Sequence, residues 1–196
     1  SVPISIDTVK PEVAKACLEA GADIINDVSG LKRSGPDMVK VVKKFGAGLI
    51  LMHSRGTPEA MQLLTTYRDV VSDVMDELRG SILIATDAGV EREQLVVDPG
   101  LGFAKTPEQN LEILKKIGAF HELGFPVLAG PSQKSFIGKV TGREAKDRMF
   151  GTAACVAVCV KEGIEIHILH LSFGGDFWPP AIIVPVGPGR IGFADR

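Results

Sequence analysis

The sequence predicts an α/β fold whose parallel strands form an incomplete (β/α)8 barrel. Short apolar runs alternate with amphipathic helical stretches, and each run stops at a polar residue or a Gly/Pro turn. The run Leu95–Asp98, followed by the turn Pro99–Phe103, shows this pattern most clearly. Strict alternation of this kind implies parallel strands joined by right-handed crossovers. The carboxyl ends of such strands are where ligands bind.

Six strands are expected. They are Pro3–Asp7, Asp23–Val28, Ala47–His53, Leu95–Asp98, Phe125–Gly130 and Glu165–Leu171. A complete barrel typically needs about 250 residues, and the chain has 196. Six units therefore indicate a barrel that lacks two. A six-stranded doubly wound sheet is the alternative, although no Gly-x-Gly-x-x-Gly turn follows the first strand.

Helices are expected between the strands. They are Lys10–Ala20, Asp37–Phe45, Tyr67–Ala88, Thr106–Leu123 and Ala145–Lys161. Pro11 suits the first turn of its helix, and Gly21 suits the end of that helix. Thr106 followed by Pro107 is typical of an N-cap and the first helical residue.

The expected domain organisation is a partial barrel over 1–171 and an atypical tail over 172–196. Gly and Pro are dense in the tail and cannot form the helix that should close the last unit, so loop or disorder is expected there. The chain begins almost directly on a strand, which suggests that a segment has been removed upstream.

Composition excludes several partners. The net charge of −2 and the lack of any basic run argue against nucleic acid or a membrane surface as the main partner. No apolar run is long enough to span a bilayer, and no signal peptide is evident. The three cysteines lack metal-ligand spacing and are typical of reduced core residues in a cytoplasmic protein.

Five motifs follow one another in order. They are Pro3–Thr8 leading into Lys10–Ala14, Gly21–Gly30 with its Asn26-Asp27 pair, Met52–Gly56, Asp98–Phe103 followed by Lys105-Thr106, and Gly130–Gly138. With these motifs, the chain resembles the dihydropteroate synthases of folate biosynthesis, which sulfonamides inhibit. The resemblance runs from Pro3 to about His170.

This resemblance implies a TIM (β/α)8 barrel of the pterin-binding type. It also implies a transferase that joins p-aminobenzoate to the pyrophosphate ester of hydroxymethyl-dihydropterin and releases pyrophosphate with Mg2+ present. Small-molecule substrates and a possible homodimer follow from the same resemblance, and no protein ligand for a metal is expected among the site residues.

The chemistry of three residues suits a pterin. Asp98 can accept two parallel hydrogen bonds from the guanidine-like edge of the ring. Asn26 both donates and accepts, which suits the mixed N1/N8 face. Lys134 can donate toward the carbonyl and N5. Lys134 and Asp7 are the expected catalytic residues, since Asp7 could favour positive charge that develops on the pterin methylene.

Further site residues complete the expectation. Met52 and Phe103 would supply apolar walls of the pterin site, and Gly130 belongs to it through the Gly130–Gly138 motif. By resemblance, Ser135 faces p-aminobenzoate and His170 faces the pyrophosphate.

Each of these residues also has a purely structural interpretation. Asp7 and Asp98 could cap helices, and Asn26-Asp27 could be turn residues. Met52 could be a core residue, Lys134 a solvated surface residue and His170 a core histidine.

The chain departs from the family in three places. The family's first two strands and their loops have no counterpart. The family's Ser-Arg-Lys is Ser132-Gln133-Lys134, and its Arg-Val-His-Asp is Ile168–Leu171. Two cations are thereby lost from a site for a pyrophosphate leaving group, each charge-assisted contact being worth about 1.5–3 kcal/mol. A pterin-binding barrel that transfers methyl groups to a corrinoid protein, and an inactive fragment of the synthase, therefore remain alternatives.

Overall fold

The computed structural model describes residues 3–169 and 182–185. The strands are β1 (Ser5–Asp7), β2 (Ile24–Asp27), β3 (Gly48–Met52), β4 (Leu95–Asp98), β5 (Leu128–Ala129), β6 (Ile166–Leu169) and β7 (Ile182–Pro185). The α-helices are α1 (Pro11–Glu19), α2 (Gly35–Phe45), α3 (Val70–Asp87), α4 (Pro107–Lys115), α5 (Ser135–Thr141) and α6 (Met149–Lys161). Short 3-10 helices cover Met61–Leu63, Arg92–Gln94, Ile117–Leu123 and Ala145–Asp147.

The strands β1 to β4 pair in chain order in one sheet, and β5 pairs with β6 in a second sheet, all of these pairings being parallel. A parallel bridge between Val97 and Val127 joins β4 to the segment that leads into β5. Beside this bridge, the backbone N–H of Val97 donates to the carbonyl of Pro126 at 3.0 Å. A doubly wound sheet reverses its strand order at a switch point, whereas a barrel does not. The doubly wound alternative is therefore wrong.

The outer face of the strands packs against the helices. Leu49, Leu51 and Val97 point to this side and join the large core that contains the buried faces of α2 and α3. The helices α1 to α3 lie close to their expected limits, whereas the expected helix Thr106–Leu123 ends at Lys115 and continues as a 3-10 helix, and α6 begins at Met149 and not at Ala145. Pro11 opens α1, and Thr106 caps α4 with a reciprocal bond to Gln109.

The inner face of the strands carries two layers of side chains. The lower layer is apolar and consists of Ile24, Ile50, Val96, Leu128 and Ile166. The upper layer lies two residues further along the same strands and consists of Asn26, Met52, Asp98, Gly130 and Ile168. Because side chains alternate across a strand, both layers face the barrel interior. The fold therefore places a ring that carries the polar side chains of Asn26 and Asp98 above an apolar floor.

Two elements differ from the sequence-based expectation. The helix α5 was not expected, since its seven residues, SFIGKVT, include a glycine and three β-branched residues, all poor helix formers. The tail was expected to have no regular element, yet Ile182–Pro185 forms β7, antiparallel to β6. Its β-branched Ile-Ile-Val run favours a strand, and Pro185 is tolerated because it ends the strand. Most of 172–196 lies outside the described residues.

No helix among the described residues is long and apolar enough to cross a membrane. The cysteines are free, with Cys155 and Cys159 buried in α6 and Cys17 half-buried in α1. Burial raises the pKa of the Cys159 thiol to about 12, which keeps it protonated.

Candidate active site

A cavity of about 410 Å³ lies at the carboxyl ends of the strands. All seven residues expected to bind the pterin line it: Asp7, Asn26, Met52, Asp98, Phe103, Gly130 and Lys134. Six further residues line the cavity, namely Val28, Leu101, Ser132, Gln133, Ala145 and Ile168. From the sequence, Ser132, Gln133 and Ile168 were named only as departures from the family, and the other three were not named as site residues. The alternation of the strands could have indicated Ile168, which follows Ile166 by two residues. Val28, Leu101, Ser132 and Gln133 lie on loops or turns, whose course the sequence does not fix, and Ala145 begins a short 3-10 helix.

Asn26 is buried at the end of β2, with 3% of its surface exposed. Its Nδ2 donates to Oδ1 of Asp7 at 2.8 Å. Its own Oδ1 is buried and has no hydrogen-bond partner among the described residues. A buried acceptor without a donor costs free energy, so this oxygen is suited to receive a donor from a ligand.

Asp27, the neighbour of Asn26, points to the opposite side of the strand. Its Oδ1 accepts from the backbone N–H of Ser29 at 2.8 Å and from the Ser29 hydroxyl at 2.7 Å. Its Oδ2 accepts from the hydroxyl of Ser34. The turn interpretation of the Asn26-Asp27 pair therefore holds for Asp27, whereas Asn26 faces the cavity.

Asp98 is buried at the end of β4, and its Oδ1 accepts from the backbone N–H of Gly100 at 2.7 Å. Burial raises the pKa of Asp98 from 3.8 to about 6, against the opposing effects of the Gly100 N–H and of the charges on Lys134 and Lys105. The side chain thus closes a tight turn and presents a carboxyl group to the cavity.

Lys134 lines the cavity together with the carboxylates of Asp7 and Asp98. Its Nζ is 4.2 Å from the centroid of the Phe103 ring, within the range of a cation–π interaction. Burial lowers the pKa of Lys134, while the charges on Asp98 and Asp7 act in the opposite direction. Lys134 is therefore a half-buried donor and not a solvated surface lysine.

Gly102 makes room for the stem of Lys134. A Cβ at this position would lie 3.0 Å from Cδ of Lys134, and the φ of Gly102 is +85°. A side chain here would therefore be strained by the backbone and would also crowd the lysine.

A second polar cluster lies behind the turn that follows β4. The Nζ of Lys105 donates to the carbonyls of Gly100 and Phe103, each at 2.9 Å, and lies 3.0 Å from Nδ1 of His53. On the other side of the ring, Nε2 of His53 lies 3.3 Å from Oε2 of Glu77. The sequence places Lys105 and His53 in motifs but gives no signal for Glu77, because α3 brings it there from a distance.

Two expected residues do not lie in this cavity as described. Ser135 is exposed and opens onto a separate shallow cleft, with Lys139, Arg143 and Arg148 around it. His170 lies outside the described residues. Ile168, which stands at the position of a family arginine, does line the cavity.

No group of three or more His, Cys, Asp or Glu side chains that could hold a metal ion occurs among residues 3–169 and 182–185. Asp7 and Asp98 are the carboxylates that line the cavity, and both already accept hydrogen bonds from the protein. The described residues therefore do not build a magnesium site.

Comparison with known proteins identifies the relatives of this fold. The dihydropteroate synthase of Synechocystis sp. is 43% identical over 170 residues, which cover 86% of this chain and 58% of that protein. The dihydropteroate synthase of Thermus thermophilus in complex with 4-aminobenzoate superposes with a TM-score of 0.81 at 37% identity, covering 86% of this chain and 68% of the other. The same enzyme in complex with 6HMPPP gives a TM-score of 0.81 at 37% identity and covers 86% and 66%.

These likenesses confirm the incomplete TIM barrel. The chain spans less than two thirds of the length of the Synechocystis relative. The model of a family described as pterin binding enzyme matches residues 1–170. The chain therefore belongs to the family of pterin-binding enzymes.

Proposed function

We propose that this chain carries the pterin site of a dihydropteroate synthase-like transferase of folate biosynthesis. The reaction condenses p-aminobenzoate with hydroxymethyl-dihydropterin pyrophosphate and gives dihydropteroate and pyrophosphate. The proposal rests on one observation: Asp98, Asn26 and Lys134 line one cavity above the apolar layer of the barrel interior. The relatives named dihydropteroate synthase support the same reaction.

The three polar groups match the edges of a pterin in kind. Ionised Asp98 accepts from the two N–H groups of the guanidine-like edge. The free Oδ1 of Asn26 accepts from a further ring N–H, which removes the cost of leaving it without a donor. Lys134 donates to the carbonyl and N5. Met52 and Phe103 pack on the faces of the ring, and Gly130 leaves space beside it.

The bond-making step needs positive charge to develop on the pterin methylene. The amine nitrogen of p-aminobenzoate attacks this carbon, the C–O bond to the pyrophosphate breaks, and the amine then loses a proton. Asp7 lies at the cavity with its carboxylate fixed by Asn26, and its negative charge favours the developing cation. Lys134 is the second proposed catalytic residue, because it polarises the ring to which the methylene is attached.

The remaining substrate groups are assigned by position. We assign the p-aminobenzoate side to Ser135, which follows Lys134 and has Arg143 and Arg148 in its cleft. The pyrophosphate is assigned to His170. Mg2+ enters the proposal only as the counter-ion of the pyrophosphate ester, since the described residues do not build a site for it.

A homodimer is proposed as the assembly. The outer face of α6 exposes three large apolar side chains, namely Met149 at 57%, Phe150 at 81% and Val160 at 43%. Exposed apolar side chains next to one another, as at Met149 and Phe150, are typical of protein–protein contacts. Light scattering of the wild type and of Phe150→Glu tests the dimer, which should dissociate in the variant.

A cytoplasmic location is proposed from the three free cysteines.

Incubation of the purified chain with radiolabelled p-aminobenzoate and the pterin pyrophosphate ester in Mg2+ tests the function. Labelled dihydropteroate should form with the wild type and not with Asp98→Ala, whose fold is checked by circular dichroism. Calorimetry with a bare pterin runs in parallel. Pterin binding without product from a folded chain would contradict the transferase and favour an inactive fragment. Methyl transfer from a methylated pterin to a corrinoid protein would favour the methyltransferase alternative.

A further inference from the structure

Lys105 is the most deeply buried cation near the cavity, with 3% of its surface exposed. Its ammonium group has three protons and three acceptors, namely the carbonyl oxygens of Gly100 and Phe103 and Nδ1 of His53. Burial lowers the pKa of Lys105 to about 7, although the charges on Asp98 and Glu77 act in the opposite direction, so the ammonium form prevails at the pH where Asp98 titrates. In that form all of its donors are used within the protein. Lys134, by contrast, lines the cavity and can donate to a ligand.

The arrangement of His53 fixes the tautomer of its ring. Since Nδ1 accepts from Lys105, the ring proton is on Nε2, which lies 3.3 Å from Oε2 of Glu77. Burial lowers the pKa of His53 to about 4, although Glu77 acts in the opposite direction. The ring is therefore neutral at neutral pH and can hold the lysine without adding a second charge.

Glu77 anchors the far end of this chain of contacts. Its Oε1 accepts from Arg55, with Nε at 2.8 Å, and its Oε2 accepts from Lys32. Burial alone would raise the pKa of Glu77, but the hydrogen bonds from His53, Lys32 and Arg55 hold it well below its ordinary value. A permanent negative charge thus stands behind the His53 ring.

Several groups face Asp98 from the elements around it. Lys105 lies on the turn after β4, Lys134 precedes α5, and Asp7 ends β1. The Cys159 thiol on α6 is protonated at neutral pH. When a bound pterin accepts a hydrogen bond from Lys134, the ammonium group of Lys134 turns toward the ligand. Lys105 cannot be redirected, because its protons are already used.

We propose that Lys105, held in place by His53 and Glu77, is a positioning residue that keeps the carboxylate of Asp98 ionised and fixes the turn Pro99–Phe103. The proposal rests on the proposed function only in the role of Asp98 as the pterin ligand. Site residues lie at both ends of the turn, since Asp98 comes immediately before it and Phe103 is its last residue. The Lys105 ammonium group donates to the carbonyl of Gly100, which lies between these two residues, and to the carbonyl of Phe103. Lys105 thereby acts on both the charge of the Asp98 carboxyl group and the conformation of the turn that follows it.

The pKa of Asp98 in the unliganded protein tests the charge. It is measured from the pH dependence of the carboxyl 13C signal, which Asp98→Asn assigns. In Lys105→Met, this titration should move upward by about one pH unit, the size of shift that a nearby charge produces. The control Lys32→Met removes a cation from the same network and should leave the titration of Asp98 unchanged. An unchanged titration in Lys105→Met would overturn the proposal.

Pterin affinity between pH 5.5 and 8 gives a second readout. In Lys105→Met, affinity should fall about fivefold near pH 6 and approach a roughly tenfold loss at lower pH, as a shift of one pH unit implies, and should recover largely by pH 8. A uniform loss at every pH would mean a purely structural role and would overturn the electrostatic one. If the wild type binds no pterin, the proposed function fails, while the 13C titration still decides the role of Lys105.

The wild type offers a test that needs no variant. Nitrogen chemical shifts of His53 should report an unprotonated Nδ1 and a protonated Nε2 throughout pH 5.5 to 8. A ring that titrates near pH 6.5, or that carries its proton on Nδ1, would contradict the proposed support of Lys105. This measurement keeps the proposal falsifiable even if Lys105→Met does not fold.

Discussion

Asn26 donates to Asp7 across neighbouring strands at 2.8 Å, and this bond turns the side-chain oxygen of Asn26 away from every donor among the described residues. The two residues are directly paired in the register of β1 and β2. The bond fixes which end of the amide faces the cavity. It leaves a buried acceptor for a ligand, and it also orients the Asp7 carboxylate.

Asn26→Ala should weaken pterin binding with little loss of stability. The free acceptor costs the unliganded protein, whereas its bond to a ligand N–H contributes about 1 kcal/mol, or roughly fivefold to tenfold in affinity. Calorimetry with a bare pterin measures this loss. Thermal unfolding should show only a small change in the same variant.

Asp27→Ala is the matched control, because it alters the adjacent residue on the outer side of β2. It removes the acceptor of three hydrogen bonds from Ser29 and Ser34, so unfolding free energy should fall by about 2–4 kcal/mol. Pterin affinity of the fraction that remains folded should change little. The reverse pattern in the two variants would remove Asn26 from the pterin site.

Pterin affinity should rise with pH through about 6. Burial raises the pKa of Asp98 to about 6, so the carboxyl group is protonated below this pH and ionised above it. Only the ionised form accepts two hydrogen bonds from the guanidine-like edge, and affinity below the pKa should therefore change by about tenfold per pH unit. Titration calorimetry from pH 5 to 7 measures the profile. Asp98→Asn should bind weakly, and its affinity should not rise with pH. An unchanged rise in this variant would assign the pH dependence to another group.

Gly100→Ala should destabilise the protein strongly. Gly100 has a φ of +69°, and a Cβ there would lie 2.0 Å from the carbonyl oxygen of His53. Gly142→Ala is the control, because Gly142 has a φ of +70° and no atom within 4 Å of such a Cβ. The control should cost about 1–2 kcal/mol for the left-handed backbone alone, and Gly100→Ala should cost clearly more. If Gly100→Ala and Gly142→Ala lost the same free energy of unfolding in urea, the turn would accommodate the added Cβ without displacing the carbonyl of His53.

The sequence predicts the strands and the inner ring well, for a physical reason. Each strand is a short buried run that ends near a recognisable polar or Gly residue, so its place in the chain can be predicted and its facing follows from a period of two. The limits are less well predicted, since the expected strand Phe125–Gly130 is only Leu128–Ala129. Asn26 and Asp98 are therefore assigned to the same side of the sheet before any coordinates.

The sequence does not predict contacts that depend on the path of loops or on helices distant in the chain. The turn Pro99–Phe103 is held from behind by Lys105, and that contact depends on His53 and on Glu77 from α3. No local pattern reports that these residues meet. The helix α5 was missed because its own propensity is weak and its formation depends on packing, with Phe136 and Ile137 buried.

Ile168→Arg should strengthen binding of the pterin pyrophosphate ester and leave binding of the bare pterin nearly unchanged. Ile168 lines the cavity two residues beyond Ile166 of the apolar floor, and Gly130 beside it carries no side chain that would block a longer residue. A guanidinium group there can extend along the cavity toward its open side and meet the pyrophosphate. A charge-assisted contact of about 1.5–3 kcal/mol corresponds to an affinity gain of tenfold or more.

The size-matched control is Ile168→Gln, which loses the same apolar contact but adds no charge. It should bind both ligands alike, with a lower thermal midpoint because a half-buried isoleucine is lost. The gain in Ile168→Arg should shrink as salt is raised, since an exposed phosphate contact is screened. A gain of equal size for both ligands would mean that the arginine acts on the pterin ring, and Ile168 would then not stand at the pyrophosphate end of the cavity.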